Sequence, residues 1–182
     1  MTALMTALAR AIAIGALAVA VGGCAATELP AETFLGASVG PASTVTPAVS
    51  QTRLELVRVL AEHDLVLTDS QAAVRPAETT LLAAAPRALY QVILPKDPLK
   101  GFIVVYEFLD AGRAATAAAE EAAWLGTGPG RVQTPQGTVT MIRQVGSTIV
   151  LYSWLPGASL DPSADGIQAA LEGLGVEIPV AN

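Results

Sequence analysis

The chain has 182 residues, enough for one ordinary domain once a targeting segment is set aside. It is 52% hydrophobic and 14% charged, too apolar for a disordered chain, although an apolar leader and alanine runs inflate the first figure. A net charge of -6 argues against nucleic acid as a partner, because phosphate binding needs clustered Lys and Arg. All 16 acidic residues follow Cys24 while Arg10 precedes it, so the part beyond Cys24 carries about -7. That acidity suits solubility and specifies no partner.

Residues 1–23 divide into three parts. A short start carries one positive charge, Arg10; an apolar stretch runs from Ala11 to Val21; Val21-Gly22-Gly23 then leads to the only cysteine, Cys24. The apolar stretch is too short for a permanent span, and no second run of about 20 apolar residues follows. An aliphatic residue and two small ones before a cysteine resemble the lipobox of bacterial lipoproteins. The resemblance implies diacylglycerol on the Cys24 thiol, cleavage before it, and acylation of the new amine. Cys24 has no intramolecular disulfide partner, which itself invites an explanation in an exported chain. Several acyl chains anchor stably where one does not. Ala25 rather than Asp follows the cysteine, which resembles an outer-membrane address if the host has two membranes. In a host with one membrane, the outer face of the plasma membrane is expected.

Residues 24–50 are rich in Ala, Ser, Thr, Gly and Pro without a sustained period, and read as a flexible tether. As a coil it would hold a domain on the order of 25–30 Å from the lipid. A partner-binding peptide around Phe34 and Leu35 is the other reading. The domain, 51–182, begins with a helix. Thr52-x-x-Glu55 suggests a capping box, and Leu54, Val57, Leu60 and Ala61 share a helical face, with the end near His63-Asp64. A short strand is expected over Leu65 to Thr68, and Leu81 to Ala85 is ambiguous between strand, helical turn and loop.

Strands follow over Ala88 to Leu94 and Phe102 to Leu109, separated by a turn over Pro95 to Gly101. Asp110 is placed to cap an alanine-rich helix reaching Trp124-Leu125, with Gly126 to stop it and Thr127 to Gly130 as a loop. Strands Thr138 to Gln144 and Thr148 to Trp154 flank a Val145-Gly146-Ser147 turn. Asp161-Pro162 then opens a helix that carries Ile167, Ala170, Leu171 and Leu174 on one face and stops at Gly175.

Ile103 to Phe108 parallels Ile149 to Trp154 at a constant offset of 46 residues, and each closes a hairpin that leads into a helix. Two such ββα units form an α+β fold: one antiparallel sheet with both helices on one face, preceded by the first helix. Strand alternation then assigns Tyr90, Val92, Leu94, Val104, Tyr106, Phe108, Ile142, Val150, Tyr152 and Trp154 to the core face. The opposite face collects Gln91, Ile93, Ile103, Val105, Glu107, Met141, Arg143, Ile149, Leu151 and Ser153. It is too apolar to be simply wet, so the first helix, a second copy or a partner should cover it.

From Phe102 to Pro179 the chain resembles small, functionally uncharacterised bacterial lipoproteins. The shared features are the strand Val104 to Leu109, the Asp-led alanine helix Asp110 to Trp124, and the turn Val145 to Val150 entering the last long strand. The first match is loose, since Val104 is two residues from Tyr106 rather than three. The resemblance covers a little under half the chain and implies an α+β fold and a lipoprotein address, with no activity attached.

Catalytic chemistry finds little support. His63 is the only histidine, next to Asp64 at a helix end, and no Gly-x-Ser-x-Gly occurs. Gly126-Thr127-Gly128-Pro129-Gly130 follows a helix, whereas a phosphate cradle precedes one. Asp161, Ser163, Asp165, Gly166 and Glu172 match the spacing of an EF-hand calcium loop, a weak alternative to plain helix capping by Asp161. Glu107 and Arg143 share a face as an ion pair or ligand site, and Glu120 and Glu121 read as a solvated helix face. The expectation is a lipid-anchored, non-enzymatic envelope module, without cofactor, that binds or assembles with another envelope component. The alternative is a small-molecule or ion-binding lipoprotein using Gln91, Glu107, Arg143 and Ser153.

Overall fold

The computed structural model describes residues 46–180. The leader, Cys24 and the tether as far as residue 45 lie outside them. Within them, no helix is long and apolar enough to cross a membrane.

Among the described residues, five helices pack around one sheet. In chain order they are α1 (Pro47–Ala61), β1 (Leu67–Asp69), α2 (Thr80–Ala84), β2 (Arg87–Val92), β3 (Phe102–Glu107), α3 (Ala111–Leu125), α4 (Gly128–Gln133), β4 (Val139–Val145), β5 (Thr148–Trp154), α5 (Ala164–Glu172) and β6 (Val176–Ile178). The six strands pair antiparallel throughout, in the order β1-β2-β3-β5-β4-β6. The fold is α+β.

The expected packing of both long helices on one face is corrected. Tyr90 pairs with Ile103, Ile103 with Tyr152, and Tyr152 with Met141, so these residues share a face. That face is buried under α1 and α5 through Val49, Leu56, Val59, Leu60, Ile167, Ala170 and Leu171. Val104, Tyr106, Ile142, Ile149 and Leu151 form the opposite face, packed under Leu82 and under Ala114, Ala117, Ala118 and Ala122 of α3. Alternation had assigned Val104, Tyr106 and Ile142 to the side of Tyr90.

Two connections set the phase. Between β2 and β3, a turn over Pro95 to Gly101 would set Leu94 opposite Phe102 and Tyr90 opposite Tyr106, whereas Tyr90 pairs with Ile103. The second is the β4–β5 turn. A three-residue turn over Val145 to Ser147 would set Ile142 opposite Val150. The turn is the two-residue pair Gly146-Ser147 with Val145 opposite Thr148, so Ile142 faces Leu151 instead. One residue of register moves every side chain to the other face. Ile103 pairs with Tyr152 and Ile149 with Tyr106, so the two lie on opposite faces despite their 46-residue offset, with α5 and α3 on opposite sides of the sheet.

The first helix covers the face beneath Tyr90, but in another rotation. Leu54 is 61% exposed and Val57 38%, while Leu56 and Leu60 are fully buried. α1 starts ahead of the expected position 51, capped by Thr46, whose hydroxyl accepts from Val49 N at 3.2 Å with Pro47 in the first turn. Thr52 is no cap: it is buried, bonds Ala48 O, and meets the Thr148 hydroxyl at 2.7 Å across the core. Asp64, at φ 58°, ends the helix as Leu65 N returns to Leu60 O.

Asp110 does cap α3, accepting from Arg113 N at 2.8 Å, and Gly126 closes it. The expected Gly-rich loop is instead the start of α4, with Pro129 in its first turn. α5 begins at Ala164 and ends at Glu172 before Gly173, ahead of the expected stop at Gly175. Gly175, at φ 48°, turns the chain into the unforeseen β6; a Cβ there would lie 2.1 Å from Gln144 O. Leu81 to Ala85 is mostly helical turn, within α2.

Candidate functional site

The four-residue surface expected from alternation does not form. Gln91 and Ser153 belong to the face beneath α3, and Glu107 and Arg143 to the face beneath α1 and α5, by strand register. Gln91 spends its amide on Pro98 O at 2.7 Å and Lys100 O at 2.9 Å, holding the β2–β3 connection. Ser153 meets the Thr140 hydroxyl at 2.9 Å on the neighbouring strand. Glu107, opposite Thr148 at the end of β3, is half-buried and has no ion-pair partner among the described residues.

Arg143 is a structural cation. Its Nε donates to Leu174 O at 2.6 Å, and its Nη2 donates to Glu172 O at 2.6 Å and Gly175 O at 3.4 Å. Its Nη1 pairs with Glu177 at 3.2 Å rather than with Glu107. A planar guanidinium thus takes the last carbonyl of α5, Glu172 O, together with Leu174 O and Gly175 O in the turn that follows it.

The Asp161–Glu172 run makes no calcium loop. The helix from Ala164 carries Glu172 about 12 Å along its axis at 1.5 Å per residue, away from Asp161. Asp161 instead accepts from Lys96 N at 2.9 Å and Ser163 N at 3.0 Å, and these amides hold its carboxyl below the usual range. Asp97 joins the same contact by accepting from the Ser159 hydroxyl at 2.9 Å. Together they tie the β2–β3 connection to the approach to α5. Ser163, the N-terminal residue flanking α5, makes no side-chain cap bond, and Asp165 is exposed. His63 is exposed at the end of α1 and does not line the cleft described next.

The feature that sequence reasoning missed is a cleft of about 690 Å³ over the end of the sheet where β3 begins and β5 ends. Its apolar lining includes Phe102, Val104, Leu151, Trp154 and Leu155. One wall comes from Val74 to Ala77 and Leu99 to Gly101; another comes from Gly157 to Ser159 and the start of α5. Tyr152 and Trp154 stack with ring centroids 4.9 Å apart and support the rim. Burial holds the Tyr152 hydroxyl up at about 12, with the Asp165 charge adding to this. A second hollow of about 530 Å³ shares Thr134, Pro135, Thr138 and Thr140 with the first, and adds Arg131 and Val180. No signal within any single strand announces the cleft, because its walls come from four separate connections.

Beside the cleft, one wall is fixed by buried charge. Glu121, expected on a solvated face with Glu120, is fully buried, and one of its oxygens accepts from Thr79 N at 2.8 Å. Its other oxygen has no partner among the described residues. Glu78 accepts from the Tyr106 hydroxyl and pairs with Arg87 at 3.2 Å. Burial raises the Glu121 pKa against the lowering pull of the Thr79 amide, and Glu78 and Glu120 raise it further. Burial also raises Tyr106, helped by its hydrogen bond to Glu78. These contacts hold residues 78–79, immediately after the cleft wall at Val74 to Ala77.

Chemically, the cleft offers apolar surface, hydroxyls, the cations Arg75 and Lys100 and the carboxylates Asp161 and Asp165, a set suited to holding a ligand. None of its lining residues is a histidine or cysteine. No protein family, curated protein or solved structure matches the chain.

Proposed function

We propose that this protein is a lipid-anchored component of the bacterial cell envelope that works by binding, with the cleft at the end of the sheet as its receiving surface. The lipobox-like Val21-Gly22-Gly23-Cys24 supports the anchor, and the tether beyond it separates domain from membrane. The cleft carries the binding reading: about 690 Å³ falls within the roughly 300–1,000 Å³ of ligand pockets, and its lining sets apolar surface beside polar and charged side chains. The alternative of a ligand site on the mixed sheet face loses its basis, since helices cover both faces. We also read the two ββα units as a repeat of sequence whose copies pack differently.

Labelling cells with an alkyne fatty acid, followed by detergent phase separation, tests the anchor. The native chain should carry label and enter the detergent phase, and Cys24→Ser should do neither. A cleaved Cys24→Ser form that stays in the membrane overturns the anchor.

A further inference from the structure

We infer that the cleft takes a single-chain anionic amphiphile, its apolar chain along Leu99, Phe102 and Leu155 and its carboxylate at Arg75 and Lys100. This rests on the cleft being the receiving surface. The argument is one of charge. Among the described residues, Arg53, Arg58, Arg87, Arg113 and Arg143 all stand in ion pairs. Of the basic residues outside that set, Arg75 and Lys100 line the cleft and Arg131 lines the neighbouring hollow. Lys96 is the remaining one, and its charge acts on Asp161.

Among the described residues, two of the four basic residues outside ion pairs thus line the cleft, in a chain of net charge -6. An exposed cation beside low-dielectric apolar surface attracts an anion more strongly than one standing free in water. Asp161 and Asp165 also line the cleft, but on the wall formed by the approach to α5 and its start rather than on the wall that carries Arg75 and Lys100, and both Asp161 oxygens already accept backbone amides. Apolar floor and cationic wall together match a molecule with an alkyl chain and one negative end. A neutral alkyl chain would use only the floor.

The test uses the chain from position 24 onward with Cys24→Ser, which keeps the tether and every residue of both core clusters. Trp124→Phe leaves Trp154, at the cleft, as the reporting tryptophan. Dodecanoate, dodecyl maltoside and dodecyltrimethylammonium are titrated below their micelle concentrations. Dodecanoate should shift Trp154 emission saturably and bind at least tenfold tighter than the other two. Arg75→Gln with Lys100→Gln should abolish that preference while leaving the weaker alkyl binding, and salt should narrow it. Equal binding of all three overturns the anionic inference and leaves the cleft as a binding surface. Binding of none, in a chain with native circular dichroism, overturns both.

Discussion

Glu121 shows how much one residue can tell that its neighbours in sequence conceal. In Ala-Glu120-Glu121-Ala both acids look like solvated positions, yet one side of the helix is buried and the other is not. Its raised pKa means the folded state binds its proton more tightly than the unfolded chain does. The stabilisation is complete below the unfolded value of about 4.3 and is lost as pH rises through the folded value. Glu121→Gln keeps an acceptor for Thr79 N and removes the titration. We expect its melting temperature to fall less than that of the native chain as pH rises from 4 to 8, with about 1 kcal/mol gained at pH 8. Parallel loss of stability in both proteins would contradict this. Arg143 is the complementary case, since its partners lie about thirty residues along the chain and alternation cannot reveal them. Arg143→Met should cost about 2–4 kcal/mol in urea unfolding, because it strands the carbonyls at the end of α5.

Elements were legible where local chemistry decides them. Asp110 and Gly126 bracket α3 as their cap chemistry requires, and β5 spans the expected Thr148 to Trp154. α1 was legible as a helix but not in rotation. Leu54, Val57, Leu60 and Ala61 satisfy helical spacing as well as Leu56, Val59 and Leu60 do, and only the sheet beneath chooses between them. Leu56→Ala should therefore cost about 2–5 kcal/mol, and Leu54→Ala less than about 0.5 kcal/mol, by chemical denaturation. Similar costs at both positions would refute the observed rotation. α4 and β6 were missed for related reasons. A Gly-Pro-Gly run reads as a loop unless Pro129 is recognised as a first-turn residue, and β6 is three residues long and defined by pairing with β4.

At the scale of the molecule, alternation within each strand was correct while the phase between strands was not. The α+β class and the antiparallel sheet survive that error, because neither depends on phase. The candidate surface does depend on it: the β2–β3 register puts Glu107 on the face away from Gln91, and the β4–β5 turn puts Arg143 on the face away from Ser153. The cleft that replaces it is assembled from connections 74–77, 99–101, 133–135 and 155–162, which no strand or helix pattern brings together in advance. Hydrogen exchange of the native anchored protein in its own membranes, compared with the unlipidated Cys24→Ser chain, tests that assignment most directly. The account predicts slowed exchange at 74–77, 99–102 and 154–159 in the membranes, with the solvent side of α1 unchanged. Unaltered exchange at those walls, or protection confined to α1 around Leu54 and Val57, would contradict it.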